Sequence, residues 1–114
     1  MSTQLTLLDV LSEMKASCTE LIGFRTDEEN NLFWPKDLKL LPDGIEGDCF
    51  DGRTHKSFSY DSINEVCGVI MDVDVDEYCS ASYCDFDEIL RFKRIPGLPL
   101  KFEETFRDSI YLKK

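Results

Sequence analysis

The sequence predicts an α+β domain with an N-terminal helix, an antiparallel β-sheet or small barrel, and one or two short C-terminal helices. Three observations carry this expectation. Apolar residues recur at helical spacing from Leu7 to Cys18. Asp-Gly pairs at 43–44 and 51–52 punctuate a series of short apolar runs. Apolar spacings of three and four residues return after residue 85.

The first element follows from Leu7, Val10, Leu11, Met14 and Cys18, which stand at i, i+3, i+4, i+7 and i+11. Thr6 and Asp9 form a capping box before it, and the helix is expected to end near residue 17. CTELIGF then reads as a strand, closed by the turn signal TDEENN at 26–31. From 32 to 66, the runs LFWPKDLKLL, IEGDCF and HKSFSYDSINEV are separated by PDG and DGRT, which implies antiparallel hairpins. Pro35 is expected at an edge or an early strand position, because its nitrogen cannot donate to a ladder.

Between Cys67 and Val75 the residues Cys67, Val69, Met71, Val73 and Val75 alternate with positions that include Asp72 and Asp74, and Asp76 follows. This predicts a half-buried strand with one wet face. Ser82 with Asp85 caps a predicted helix carrying Phe86, Ile89 and Leu90, with Arg91, Lys93 and Arg94 at its end and Pro96-Gly97 as its stop. A strand, EILRFKRI, is the competing reading. Phe102, Phe106 and Ile110 at i, i+4 and i+8 predict a short closing helix. With no repeat and no linker composition, residues 1–114 are expected to form one compact acidic domain.

Charge narrows the function classes. Twenty-three Asp and Glu against 13 Lys and Arg leave a net charge of -10. A chain so anionic is repelled by phosphate backbones and anionic lipid, so neither nucleic acid nor membrane is an expected direct partner. No apolar run is long enough to span a bilayer, and Asp9 and Glu13 interrupt any leader-like start, which points to a cytoplasmic protein. Five irregularly spaced cysteines read as packed thiols rather than a disulfide framework.

The stretch from the first helix through ELIGFRTDEENNLFWPKDLKLLPDGIEGDCFDGRTHKSFSYDSI, residues 7–66, resembles the WYL domains, small Sm-like β-barrels of bacterial regulators. Pro35, Leu38, Gly44 and the run KSFSYDSI, with Phe58, Asp61 and Ile63, carry the resemblance. The Trp-Tyr-Leu triplet that names the family is replaced here by Ile45, Glu46 and Gly47, and two of its arginines by Ser59 and Ser62. The resemblance implies a barrel and, as an alternative function, a ligand-sensing regulatory module with a pocket near Trp34, Phe58 and Tyr60.

Asp72, Asp74 and Asp76 occupy positions 1, 3 and 5 of an EF-hand pattern, but Glu77 stands where glycine is needed and Tyr83 where the bidentate glutamate belongs. Cys79 and Cys84 are too widely spaced for a redox pair and lack a second ligand pair, although Cys49 and His55 could complete a set through the fold. His55 has no Gly-flanked nucleophile and reads as a solvated turn residue. No enzyme activity, metal or cofactor is expected.

The most specific feature is acidic. Asp72, Asp74, Asp76, Glu77, Asp85, Asp87 and Glu88 follow one another without an intervening Lys, Arg or His. On a strand, alternate aspartates share a face about 6.7 Å apart. Such a row repels itself but attracts lysines and arginines, and Tyr78 and Tyr83 beside it would supply aromatic anchors. The expected role is that of a non-enzymatic inhibitor that covers a basic partner, a nuclease or other nucleic-acid-binding protein, through nucleic-acid mimicry. The expected interface is Asp72, Asp74, Asp76, Glu77, Tyr78, Tyr83, Asp85 and Asp87.

Overall fold

A computed structural model describes residues 4–17, 19–27, 29–50, 52–71, 86–98 and 100–108. Its elements are α1 (Leu7–Ala16), β1 (Leu21–Arg25), β2 (Asn30–Leu40), β3 (Gly44–Cys49), β4 (His55–Ser59), a 3-10 turn at Tyr60–Ser62, β5 (Glu65–Met71), β6 (Phe86–Arg94) and β7 (Phe102–Arg107). All seven strands join one sheet in the order β4-β3-β2-β1-β5-β6-β7, and every pairing is antiparallel.

The helix forms as its sequence dictates. The Thr6 side chain accepts from the Asp9 N–H at 3.2 Å while the Asp9 carboxylate accepts from the Thr6 N–H at 3.1 Å, closing the capping box. Leu7, Val10 and Met14 turn inward onto one face of the sheet. There they meet Ile22, Phe24, Phe33, Ile45, Ile63, Val66, Leu90, Phe92 and Phe102. Gly68 of β5 permits the close approach: a Cβ there would lie 2.5 Å from Met14 Sδ and 2.6 Å from Thr19 Oγ1.

The β2–β3 and β3–β4 connections lie where the sequence places them. Leu41 N–H donates to Gly44 O at 2.8 Å between β2 and β3. Between β3 and β4, Gly52 takes φ +73°, a left-handed conformation that a side chain would disfavour. The sheet curls strongly over the helix side. Phe58 of β4 and Phe24 of β1 have ring centroids 5.6 Å apart, although two strands separate theirs. In a flat sheet, three strand spacings would hold them about 14 Å apart.

Several expectations are corrected. Among the described residues the fold is nearly all β with a single α-helix, not α+β with C-terminal helices. Phe86, Ile89 and Leu90 belong to β6, which pairs with β5 from Met71↔Phe86 to Glu65↔Lys93. Its register shifts between Gly68 and Val69, leaving Ile89 as an extra residue. That bulge buries both Ile89 and Leu90, so a broken strand alternation imitates helical spacing. Phe102 and Phe106 lie on β7, whose own register shift leaves Thr105 over. Phe102 is consequently buried and Phe106 is 42% exposed, where a helical stripe would have buried both.

Two further findings concern β5 and Pro35. From Val66 to Val69 β5 is buried on both faces, as befits a strand between β1 and β6, while Asp72, Asp74 and Asp76, the expected wet positions, lie outside the described residues. Pro35 lies within β2, a strand flanked on both sides. It stands where the ladder to β1 has ended, at Ile22↔Phe33, and where the β3 register shifts between Phe33 and Leu38, so its missing donor interrupts no regular ladder. Among the described residues, no helix is long and apolar enough to cross a membrane.

Candidate functional site

Of the eight expected interface residues, Asp87 lies among the described residues; Asp72, Asp74, Asp76, Glu77, Tyr78, Tyr83 and Asp85 lie outside them. Asp87 is half-buried on β6, opposite Ile70 of β5. The flanks of the acidic run are placed directly. Met71 and Phe86, the residues on either side of 72–85, are cross-strand partners, so both flanks lie at one point of the sheet.

Beside that point, on the sheet face away from α1, sits a second apolar cluster. Leu21, Cys67 and Val69 are buried in it, with Leu32, Trp34, Phe50 and Phe86 packed around them. Strand alternation explains its membership: Leu21↔Val69 and Gly23↔Cys67 are cross-strand pairs of β1 and β5, and their side chains point opposite to Ile22, Phe24 and Val66. Phe50 and Phe86 meet edge to face with centroids 5.4 Å apart, and Trp34 Nε1–H donates to Phe50 O at 3.2 Å. Gly23 makes room for the thiol, since a Cβ there would lie 2.7 Å from Cys67 Sγ.

A charge network borders this cluster. Arg91 donates to Glu88 through Nε at 2.6 Å and Nη2 at 2.9 Å, the two-pronged geometry that suits a guanidinium and a carboxylate. Arg25 reaches Glu65 at 2.8 Å and Glu88 at 3.5 Å, and Arg91 stands 3.9 Å from Glu65. Two positive and two negative groups thus close a neutral ring over β1, β5 and β6. Hydrogen bonding from Arg91 holds the Glu88 carboxyl below its usual range, against the opposing effect of its burial. Burial pushes the Cys67 thiol up to about 11, so it stays protonated at neutral pH.

Glu88 ends the seven-acid run of the sequence, yet its charge is consumed inside the fold. The network was not visible in the sequence, because Arg25 and Glu65 are 40 residues apart and meet only through the β1–β5 pairing. Elsewhere, His55 opens β4 rather than lying in a turn, and Asp48 Oδ1 lies 2.8 Å from its Nδ1. That hydrogen bond raises the imidazole pKa. Cys49 and Cys67 are both buried. Among the described residues, no three His, Cys, Asp or Glu side chains gather as a metal site. Phe58 and Tyr60 pack against the main core while Trp34 packs in the second cluster, so these three do not face one common space.

No protein-family model matches the chain, and neither a curated protein nor a solved structure matches it.

Proposed function

We propose that this protein is a non-enzymatic acidic binder that neutralises a basic, nucleic-acid-handling protein, in the functional manner of immunity proteins against nucleases or of phage proteins that block restriction or CRISPR machinery. The observation that carries the reading is how the chain distributes its charge. Its net charge is -10, and four of its five arginines, Arg25, Arg91, Arg94 and Arg107, are held in ion pairs with carboxylates of the same chain. Lys56 is likewise paired, with Glu29 at 2.8 Å. Arginines spent internally offer little to an outside phosphate, while the excess of acid over base in the whole chain remains.

The run from 72 to 85 supplies five of those acids, Asp72, Asp74, Asp76, Glu77 and Asp85, with no Lys, Arg or His. Its flanks are joined across the β5–β6 ladder, beside Phe86 and Asp87. A surface that binds phosphate backbones through Lys and Arg would be drawn to such a field and aligned by it. Tyr78 and Tyr83 would add desolvated contact area within the same stretch.

The test is affinity capture from the native host with the wild-type chain and with the D74K/D76K variant, each challenged with duplex DNA. The expected result is retention of basic nucleic-acid-binding proteins that DNA displaces and the variant fails to hold. Equal retention by both chains, or retention insensitive to DNA, would rule out the acidic run as the interface.

A further inference from the structure

Pro35 lines a cavity on the helix-covered side of the sheet. Up to Phe33, β2 runs beside β1; beyond that pair it follows β3, and β1 no longer flanks it. β1 begins at Leu21, one residue beyond that pair, so the distal half of β2 runs on past its end. The helix fills only part of the space beside it. A cavity of about 500 Å³ remains, walled by Leu11 and Met14 of α1, Ile22 of β1, and Pro35, Leu38 and Leu40 of β2. That volume falls within the roughly 300–1,000 Å³ typical of small-molecule sites.

Its polar rim has one sign. Lys15, in the last turn of α1, and Lys36, directly after Pro35, both line the cavity. Neither makes an ion pair among the described residues, in a chain whose arginines and Lys56 are largely paired. Thr19 also lines it, and among the described residues its hydroxyl makes one long contact, 3.8 Å, with Met14 Sδ, so it remains able to donate to a ligand. Leu40 is 43% exposed at the mouth, an apolar cost that an alkyl chain would relieve.

We propose that this cavity binds a single-chain fatty acid, with the alkyl tail against Leu11, Met14, Ile22, Leu38 and Leu40, and the carboxylate held between Lys15 and Lys36 with the Thr19 hydroxyl. The apolar wall supplies the affinity and the paired lysines set the sign of the head group. This site lies on the opposite sheet face from the Trp34–Phe50–Phe86 cluster, so it is independent of the proposed acidic interface.

The experiment is a titration of the full chain, with labelled methionine methyl groups, by sodium decanoate below its micelle-forming concentration. Decyltrimethylammonium serves as a control of equal chain length and opposite charge. A saturable shift of the Met14 methyl is expected with decanoate and none with the cationic analogue. The K15Q/K36Q variant should bind decanoate about tenfold or more weakly at an unchanged unfolding midpoint. Should that double variant lose its fold, K36Q alone, titrated in the same way, is expected to bind about threefold or more weakly and decides the point. The proposal is overturned if decanoate leaves Met14 unmoved, if the lysine variant binds equally well, or if the cationic analogue binds as tightly.

Discussion

The curl of the sheet makes a measurable prediction about two residues that a flat sheet would keep apart. Phe24 is fully buried on β1, Phe58 half-buried on β4, and their rings meet at 5.6 Å and 56°. Substituting either by leucine keeps most of the apolar volume, so each single variant should lose about 1–1.5 kcal/mol. If the rings are in contact, the double variant loses their mutual interaction only once. The cycle should then show a coupling of about 0.5–1.5 kcal/mol, the range for aromatic pairs. Urea unfolding of the wild type, F24L, F58L and F24L/F58L measures it, given equal m-values across the four chains. Phe33, 5.8 Å from Phe24 and 6.1 Å from Phe58, could relay part of the effect. Repeating the cycle in an F33L background separates the direct contact from the relay. Additivity within about 0.3 kcal/mol in both backgrounds would refute the curl.

Three further outcomes follow from the same geometry. Cys67, buried and pushed up to about 11, should resist alkylation at pH 8 in the native protein and react at an ordinary rate once urea unfolds it. The His55 imidazole should titrate by NMR above the ordinary value of 6.5, mainly because Asp48 hydrogen-bonds to it, and D48N should bring it down. Since its folded-state pKa is raised, that pairing favours the fold below the unfolded-state pKa and is lost as pH rises through the folded-state value. Glu88 behaves oppositely: its lowered pKa contributes stability above the usual carboxylate range and loses it as pH falls through the folded-state value. E88Q should cost ~1 kcal/mol at pH 7, a figure that allows for solvent screening of the pair, and should flatten the acid limb of a stability-versus-pH profile.

What the sequence disclosed depended on whether the determining signal was local. Thr6 and Asp9 lie within one turn, so the capping box and helix could be read directly, as could the breaks between β2 and β3 and between β3 and β4. The bulge at Ile89 exists only because β5 lies opposite, and no neighbour in sequence reveals it. It places two successive residues in the core, and a helical spacing resulted. Phe102 and Phe106 misled in a similar way, because four residues return to one face in both a helix and a regular strand, and Thr105 then breaks the strand. Pro35 argued for an edge because a proline cannot donate, yet a strand that changes partners tolerates it inside a sheet. Of the candidate interface, the sequence supplied the acids, while the pairing of Glu88 with Arg91 and Arg25 required the fold.

The central claim is that an acidic run on a β-sheet domain holds a basic protein partner through charge. Its most direct test is the salt dependence of the dissociation constant for the partner isolated by the capture experiment, compared between the wild-type chain and D74K/D76K. For the wild type log Kd should rise steeply with log salt, and the variant should bind more weakly with a shallower slope. Equal affinity and equal slope for the two chains would contradict it.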